Sequence, residues 1–119
     1  MSIAMHKEGD NRYRVDICGT LRKDELKRCE QQLAEEMRRG GPVRLLFILT
    51  DFHGWEPRTD WNDLGFFVSH GARVERIAII GPERWRSEAL MFAGADLRRA
   101  PVEFFPEGAA AEARTWLAG

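Results

Sequence analysis

Two short apolar runs constrain this chain more than any other feature: VRLLFIL at Val43 to Leu49, interrupted only by Arg44, and RIAIIG at Arg76 to Gly81. A polar residue at every second position would mark a strand with one wet face. These runs lack that alternation, so both read as strands covered on both faces, the situation inside a parallel sheet flanked by helices. Parallel neighbours need crossover connections, which makes the fold class α/β.

The flanking segments fit that frame. Ser2 to Lys7 and Arg12 to Cys18 are separated by the turn-forming Glu8-Gly9-Asp10-Asn11, and Tyr13, Val15 and Ile17 alternate with Arg12, Arg14 and Asp16. This predicts an antiparallel hairpin with one solvated face. Thr20 then reads as the cap of a first helix, with Leu26, Cys29, Leu33 and Met37 on one stripe and Gly40-Gly41-Pro42 as its stop. Charged residues four apart on its outer face predict a solvated surface. A loop over Asp51 to Pro57 follows, then a second helix of about Asp60 to His70 carrying Trp61, Leu64, Phe67 and Val68 on one face. A third helix of about Glu83 to Ala93 presents Trp85, Ala89, Phe92 and Ala93. Pro101 to Phe105 is a last strand, and Ala109, Ala113, Trp116 and Leu117 mark a closing helix. The expected order is ββαβαβαβα, with four to five strands and about four helices in a single domain over residues 1–119.

Composition excludes several function classes. With 18 basic and 19 acidic side chains, the chain has no global field that would draw it onto nucleic acid. No run approaches the ~20 apolar residues of a membrane span, and the N-terminal residues lack a signal-type apolar stretch. At most a weak peripheral membrane association is expected. Cys18 and Cys29 read as small core-type residues, consistent with a reduced, cytoplasmic setting.

A set of segments in a fixed order then carries a resemblance: Gly19-Thr20-Leu21, Leu45-Leu46, Phe52-His53-Gly54-Trp55, Trp61-Asn62-Asp63-Leu64, Arg76 to Gly81 leading to Trp85, and Ala113 to Leu117. In this the chain resembles the SpoIIAA-like family, small proteins sharing the STAS fold, over nearly its whole length. The resemblance implies a mixed, mainly parallel sheet with helices beside it, and a role in binding protein partners or carrying apolar ligands. Anti-sigma-factor antagonists of this fold carry a phosphorylatable serine in an Asp-Ser pair after the central strand. Here the stretch reads Thr50-Asp51-Phe52, so that switch is not carried over.

No catalytic constellation is legible. His6, His53 and His70 fall on different elements without metal-ligand spacing, and neither serine nor cysteine context signals an activated nucleophile. An enzyme is not expected, nor a metal or cofactor. The candidate site is instead aromatic: Phe52, Trp55, Trp61, Phe66, Phe67 and Trp85, with His53 and His70 beside them. The loop after Leu49 and the turn after Ile80 lie beyond the carboxyl ends of parallel strands, where open α/β sheets place their ligands. Two readings follow. In one, an apolar or lipid-like molecule sits between the second helix and the sheet, with that helix as a lid hinged near Gly71. In the other, the same surface binds a protein partner or a second copy of the chain.

Overall fold

The computed structural model describes residues 2–58, 73–93 and 101–119. The hairpin forms as expected. β1 (Ile3–Lys7) pairs antiparallel with β2 (Arg12–Leu21), placing Ile3 opposite Ile17 and Lys7 opposite Tyr13. Beside it run β3 (Val43–Trp55), β4 (Val74–Gly81) and β5 (Val102–Pro106), each parallel to its neighbour, in the spatial order β1-β2-β3-β4-β5. Among the described residues the fold is thus a five-stranded mixed sheet with its antiparallel strand, β1, at one edge. Among the described residues there are three α-helices rather than about four: α1 (Lys23–Gly40), α2 (Arg86–Phe92) and α3 (Ala110–Ala118). The expected second helix, about Asp60 to His70, lies outside the described residues.

Both apolar runs are buried on two sides. Leu45, Leu49, Ile77 and Ile79 join a core with α1 and α2, while Leu46, Ala78 and Ile80 join Ala113 and Leu117 of α3 on the opposite face. The helices therefore divide, α1 and α2 on one face and α3 on the other. Alternation in β2 holds as well: Tyr13, Val15 and Ile17 are buried toward α1.

α3 is held by charge as well as packing. Arg44 and Arg76 each donate to a carbonyl in its last turn, of Leu117 and Trp116 respectively, both at 2.6 Å. These are carbonyls that the helix cannot satisfy internally, and a guanidinium also complements the negative end of the helix dipole. The Arg76 guanidinium lies 5.1 Å from the Trp116 ring centre, adding a cation–π contact. Arg114, farther up the helix, donates to Glu8 beside β1 at 3.0 Å. That hydrogen bond holds the Glu8 carboxyl below its ordinary pKa.

Three local expectations are corrected. Thr20 does not cap α1, because β2 continues through Leu21 and the cap position belongs to Arg22, whose side chain makes no capping bond. The first turn is tied down differently: Glu25 accepts from both the backbone N–H and the hydroxyl of Ser2. Cys18 is exposed rather than core-like, as it sits on the β2 face turned away from α1, while Cys29 packs on the core from α1. Asp51 to Trp55 is strand rather than loop, and this correction shapes the candidate site.

Candidate functional site

β3 stays paired with β2 well past Leu49, but its backbone carries extra residues there. Thr50 pairs with Cys18, Phe52 with Gly19, and Gly54 with Thr20. Asp51 and His53 therefore have no counterpart in β2, and each makes a β-bulge, a feature rare in parallel pairs. Asp51 adopts φ +46 and Gly54 φ +99 to accommodate them. In a plain strand, residues three apart face opposite ways. With one bulge in each interval, Leu49, Phe52 and Trp55 all join the core on the α1 and α2 side. β4 pairs with β3 only up to Ile48 opposite Ile80, so among the described residues this bulged end is bonded through β2.

Aromatic rings fill the region beside that end. Phe52, 1% exposed, meets Trp55 edge-on at 5.1 Å between ring centres and Trp85 at 5.0 Å. Trp55 and Trp85 lie 5.9 Å apart, and Phe92 of α2 approaches Trp55 at 5.5 Å. Trp85 arrives from a single 3-10 turn, Glu83–Trp85, that leads into α2. Its ring lies against Gly54, where a Cβ would come within 3.3 Å of the indole. Glycine thus serves twice here, supplying the positive φ and the room for the ring.

Next to the cluster lies a cavity of about 60 Å³ between α1, α2 and the sheet. Trp55, Leu26, Leu33, Leu49, Ala89 and Phe92 are among its lining residues. Its wall is apolar apart from Cys29 and Glu30, and burial pushes the Cys29 thiol up to about 11, so at neutral pH the thiol adds no charge. Lysine, arginine and histidine are absent from the described lining.

Two donors stand out in this apolar setting. The indole nitrogens of Trp55 and Trp85 are buried and have no hydrogen-bond partner among the described residues. Arg14 Nε also lacks one, but it sits 3.3 Å from the Asp16 carboxylate. The indoles' neighbours in edge-on contact, Phe52 and each other, present aromatic faces rather than oxygen acceptors.

The residues singled out in the sequence divide into three groups. Phe52, Trp55 and Trp85 come together as one cluster. His53 is on the same strand but is exposed and does not line the cavity. Trp61, Phe66, Phe67 and His70 lie outside the described residues. The reading missed the contribution of α1, whose Leu26, Cys29, Glu30 and Leu33 form one wall, and that of Ala89 and Phe92 on α2 with Ala93 at its C-terminal cap. Their helical spacing was visible, but it marks a buried stripe and cannot indicate a gap beside it. Among the described residues no group of three His, Cys, Asp or Glu side chains is placed to hold a metal, and no helix is long and apolar enough to cross a membrane.

Known structures place this geometry in context. An uncharacterized protein of the DUF3478 family with a SpoIIAA-like fold, from Shewanella loihica PV-4, superposes with a TM-score of 0.71 at 22% identity, covering 97% of this chain and 91% of its own. The unphosphorylated form of the anti-sigma factor antagonist SpoIIAA gives 0.68 at 11% identity, covering 98% and 96%. The phosphorylated form of the Bacillus cell fate determinant SpoIIAA gives 0.57 at 10%, covering 92% and 96%. At these identities the likeness concerns the fold. No curated protein sequence matches the chain. The family model described as SpoIIAA-like matches residues 12–118, and the chain belongs to the SpoIIAA-like family.

Proposed function

We propose that this protein is a non-enzymatic binding domain that holds a small apolar molecule in the cavity between α1, α2 and the sheet. The observation that carries the reading is the cavity itself, apolar-walled and running under α1 and α2 along the sheet face from Leu45 and Val74 to Phe52 and Trp55. An apolar void favours an apolar occupant over water. At about 60 Å³ it is smaller than the ~150 Å³ engineered cavity that takes up benzene, so the occupant is slender or enters only in part.

Native mass spectrometry of freshly purified protein tests this. An adduct of an apolar compound is expected, and Ala89→Leu, which fills the cavity from α2, removes it. A bare mass, together with an NMR spectrum unmoved by a panel of small apolar compounds, refutes the reading.

A second reading rests on a different observation. Met91, on the outer side of α2, is 77% exposed and is the only large hydrophobic side chain so exposed among the described residues. A protein partner docking on α2 would cover it, in keeping with the fold shared with an anti-sigma factor antagonist. Met91→Glu then abolishes co-purification of a specific partner without changing stability, and a strict monomer that retains no partner argues against it.

A further inference from the structure

β1 leaves a row of backbone groups open at the sheet edge. Antiparallel pairing turns alternate residues of a strand toward and away from its neighbour. The Cys18 N–H donates to the Ser2 carbonyl and the Glu8 N–H to the Arg12 carbonyl, so the even-numbered residues of this stretch bond to β2. Ile3, Met5 and Lys7 therefore direct N–H and C=O outward, where no described residue bonds them. Sheet edges are commonly closed to other chains by proline, a bulge or charges along the strand. β5, at the opposite edge, ends in Pro106, whereas β1 has neither proline nor bulge, and its one lysine stands at its end.

We propose that this edge binds a second copy of the chain, β1 pairing antiparallel with its counterpart across a two-fold axis at Met5. Such an interface is self-complementary by symmetry. The register sets Ile3 opposite the second copy's Lys7 and Met5 opposite itself. Every outward N–H then meets an outward carbonyl, and the two sheets become one.

α1 points to the same axis on separate grounds. It lies over this edge: Glu25 accepts from Ser2, and Glu36 accepts from the hydroxyl of Tyr13, the residue opposite Lys7, at 3.1 Å. A strand advances about 3.4 Å per residue and a helix about 1.5 Å. The three residues from Ser2 to Met5 thus match roughly seven from Glu25, which brings Gln32 level with the axis. Arg28, Glu36 and Arg39 share the flank of Gln32 at helical spacing, turned away from the stripe of Leu26, Glu30 and Leu33 that lines the cavity. A two-fold through Gln32 sets Arg28 opposite the second copy's Glu36, and Glu25 opposite its Arg39. Opposite charges meet in each case, and symmetry repeats both contacts. The neighbouring registers that keep the same bonding pattern are displaced by two residues along β1. They set Arg28 beside Gln31 or Gly40, where no opposite charge is found. Backbone and helix charges therefore select one register together.

The register is also readable from the other face of the sheet. Ala4 and His6 are both exposed, and in this arrangement each stands opposite the other residue of the second copy. They form a non-hydrogen-bonded pair, where Cβ atoms approach to about 4.5–5.5 Å and a disulfide can close with a small shift.

Light scattering on the wild-type chain, from micromolar to millimolar concentration, is expected to show a mass rising toward that of a dimer. Arg28→Glu sets carboxylate against carboxylate at two symmetric contacts and raises the dissociation constant about tenfold. Arg38→Glu, an equally large charge change on the opposite flank of α1, leaves it unchanged. In a Cys18→Ser background, Ala4→Cys and His6→Cys chains mixed under mild oxidation form a disulfide-linked dimer, and either chain alone does so far more slowly. All of these positions are exposed, so the variants keep the fold. A single-chain mass at every concentration overturns the proposal. So does a dimer that the two arginine variants weaken equally, or one in which mixed cysteine chains cross-link no faster than separate ones.

Discussion

On the face that carries α3, Ala78 and Ala113, each 0% exposed, pack among Leu46, Ile80 and Leu117, and Arg44 and Arg76 fasten the helix end. On the face that carries α1 and α2 the contacts are made by large aliphatic and aromatic groups, and they leave a cavity. The same two strands, β3 and β4, contribute to both. Fully buried alanines facing one another leave little room for a larger side chain, whereas a residue beside a cavity has room to grow. A sheet can thus keep one face for stability and the other for adaptable contacts.

The sharpest way to break that comparison is to add volume on each side. Ala113→Leu forces three carbons into the closed face and is expected to lower stability by about 3 kcal/mol. Ala89→Leu, beside the cavity, is expected to cost under about 1 kcal/mol. Urea unfolding of the two variants measures the difference, and equal losses would show that the faces are packed alike. A smaller effect is expected at the bulged end. Gly54→Ala combines a φ of +99 with a methyl 3.3 Å from the Trp85 ring, and a loss of about 2 kcal/mol should appear as a lowered Tm. It should also alter Trp fluorescence, since the Trp85 ring must give way.

The smallest effect concerns the tie between Arg114 and Glu8 on the closed face. Its carboxyl is held below the ordinary value of 4.5, so the stabilisation is present in full above that value and disappears as pH falls through the lowered one. The pair is partly exposed, so Glu8→Gln should cost less than ~1 kcal/mol at pH 7. Wild type and variant should converge in stability once the pH has fallen below the lowered value, where Glu8 is protonated in both states. A gap that persists there would assign the effect to packing rather than charge.

Much of the fold was legible because it depends on periodicity. The two apolar runs, the alternation in β2 and the stripe on α1 each report burial directly, and all four elements formed, with β2 and β3 running past their expected ends. What stayed hidden depends on pairing with a neighbour. Leu49, Phe52 and Trp55 are spaced three apart, a pattern that reads as irregular chain; only the hydrogen bonds to β2 make it strand. Gly19, with φ +69, likewise read as the end of β2, although the strand bends through it and continues to Leu21. The site was half legible for a related reason. Three aromatic residues named from the sequence do meet, but a cavity is the absence of atoms between stripes, and no stripe records it.

The paired bulges in β3 carry a further implication for how such a chain tolerates changes in length. Asp51 and His53 are supernumerary: without them Leu49, Phe52 and Trp55 would fall at every second position, level with Ile17, Gly19 and Leu21 of β2. Deleting either therefore shortens the strand without sending any of the three rings or side chains to the wrong face. A single-residue deletion elsewhere in β3, for instance at Phe47, shifts every later residue by one and turns the aromatic end outward. Length is thus negotiable at two positions in this strand and fixed at the rest.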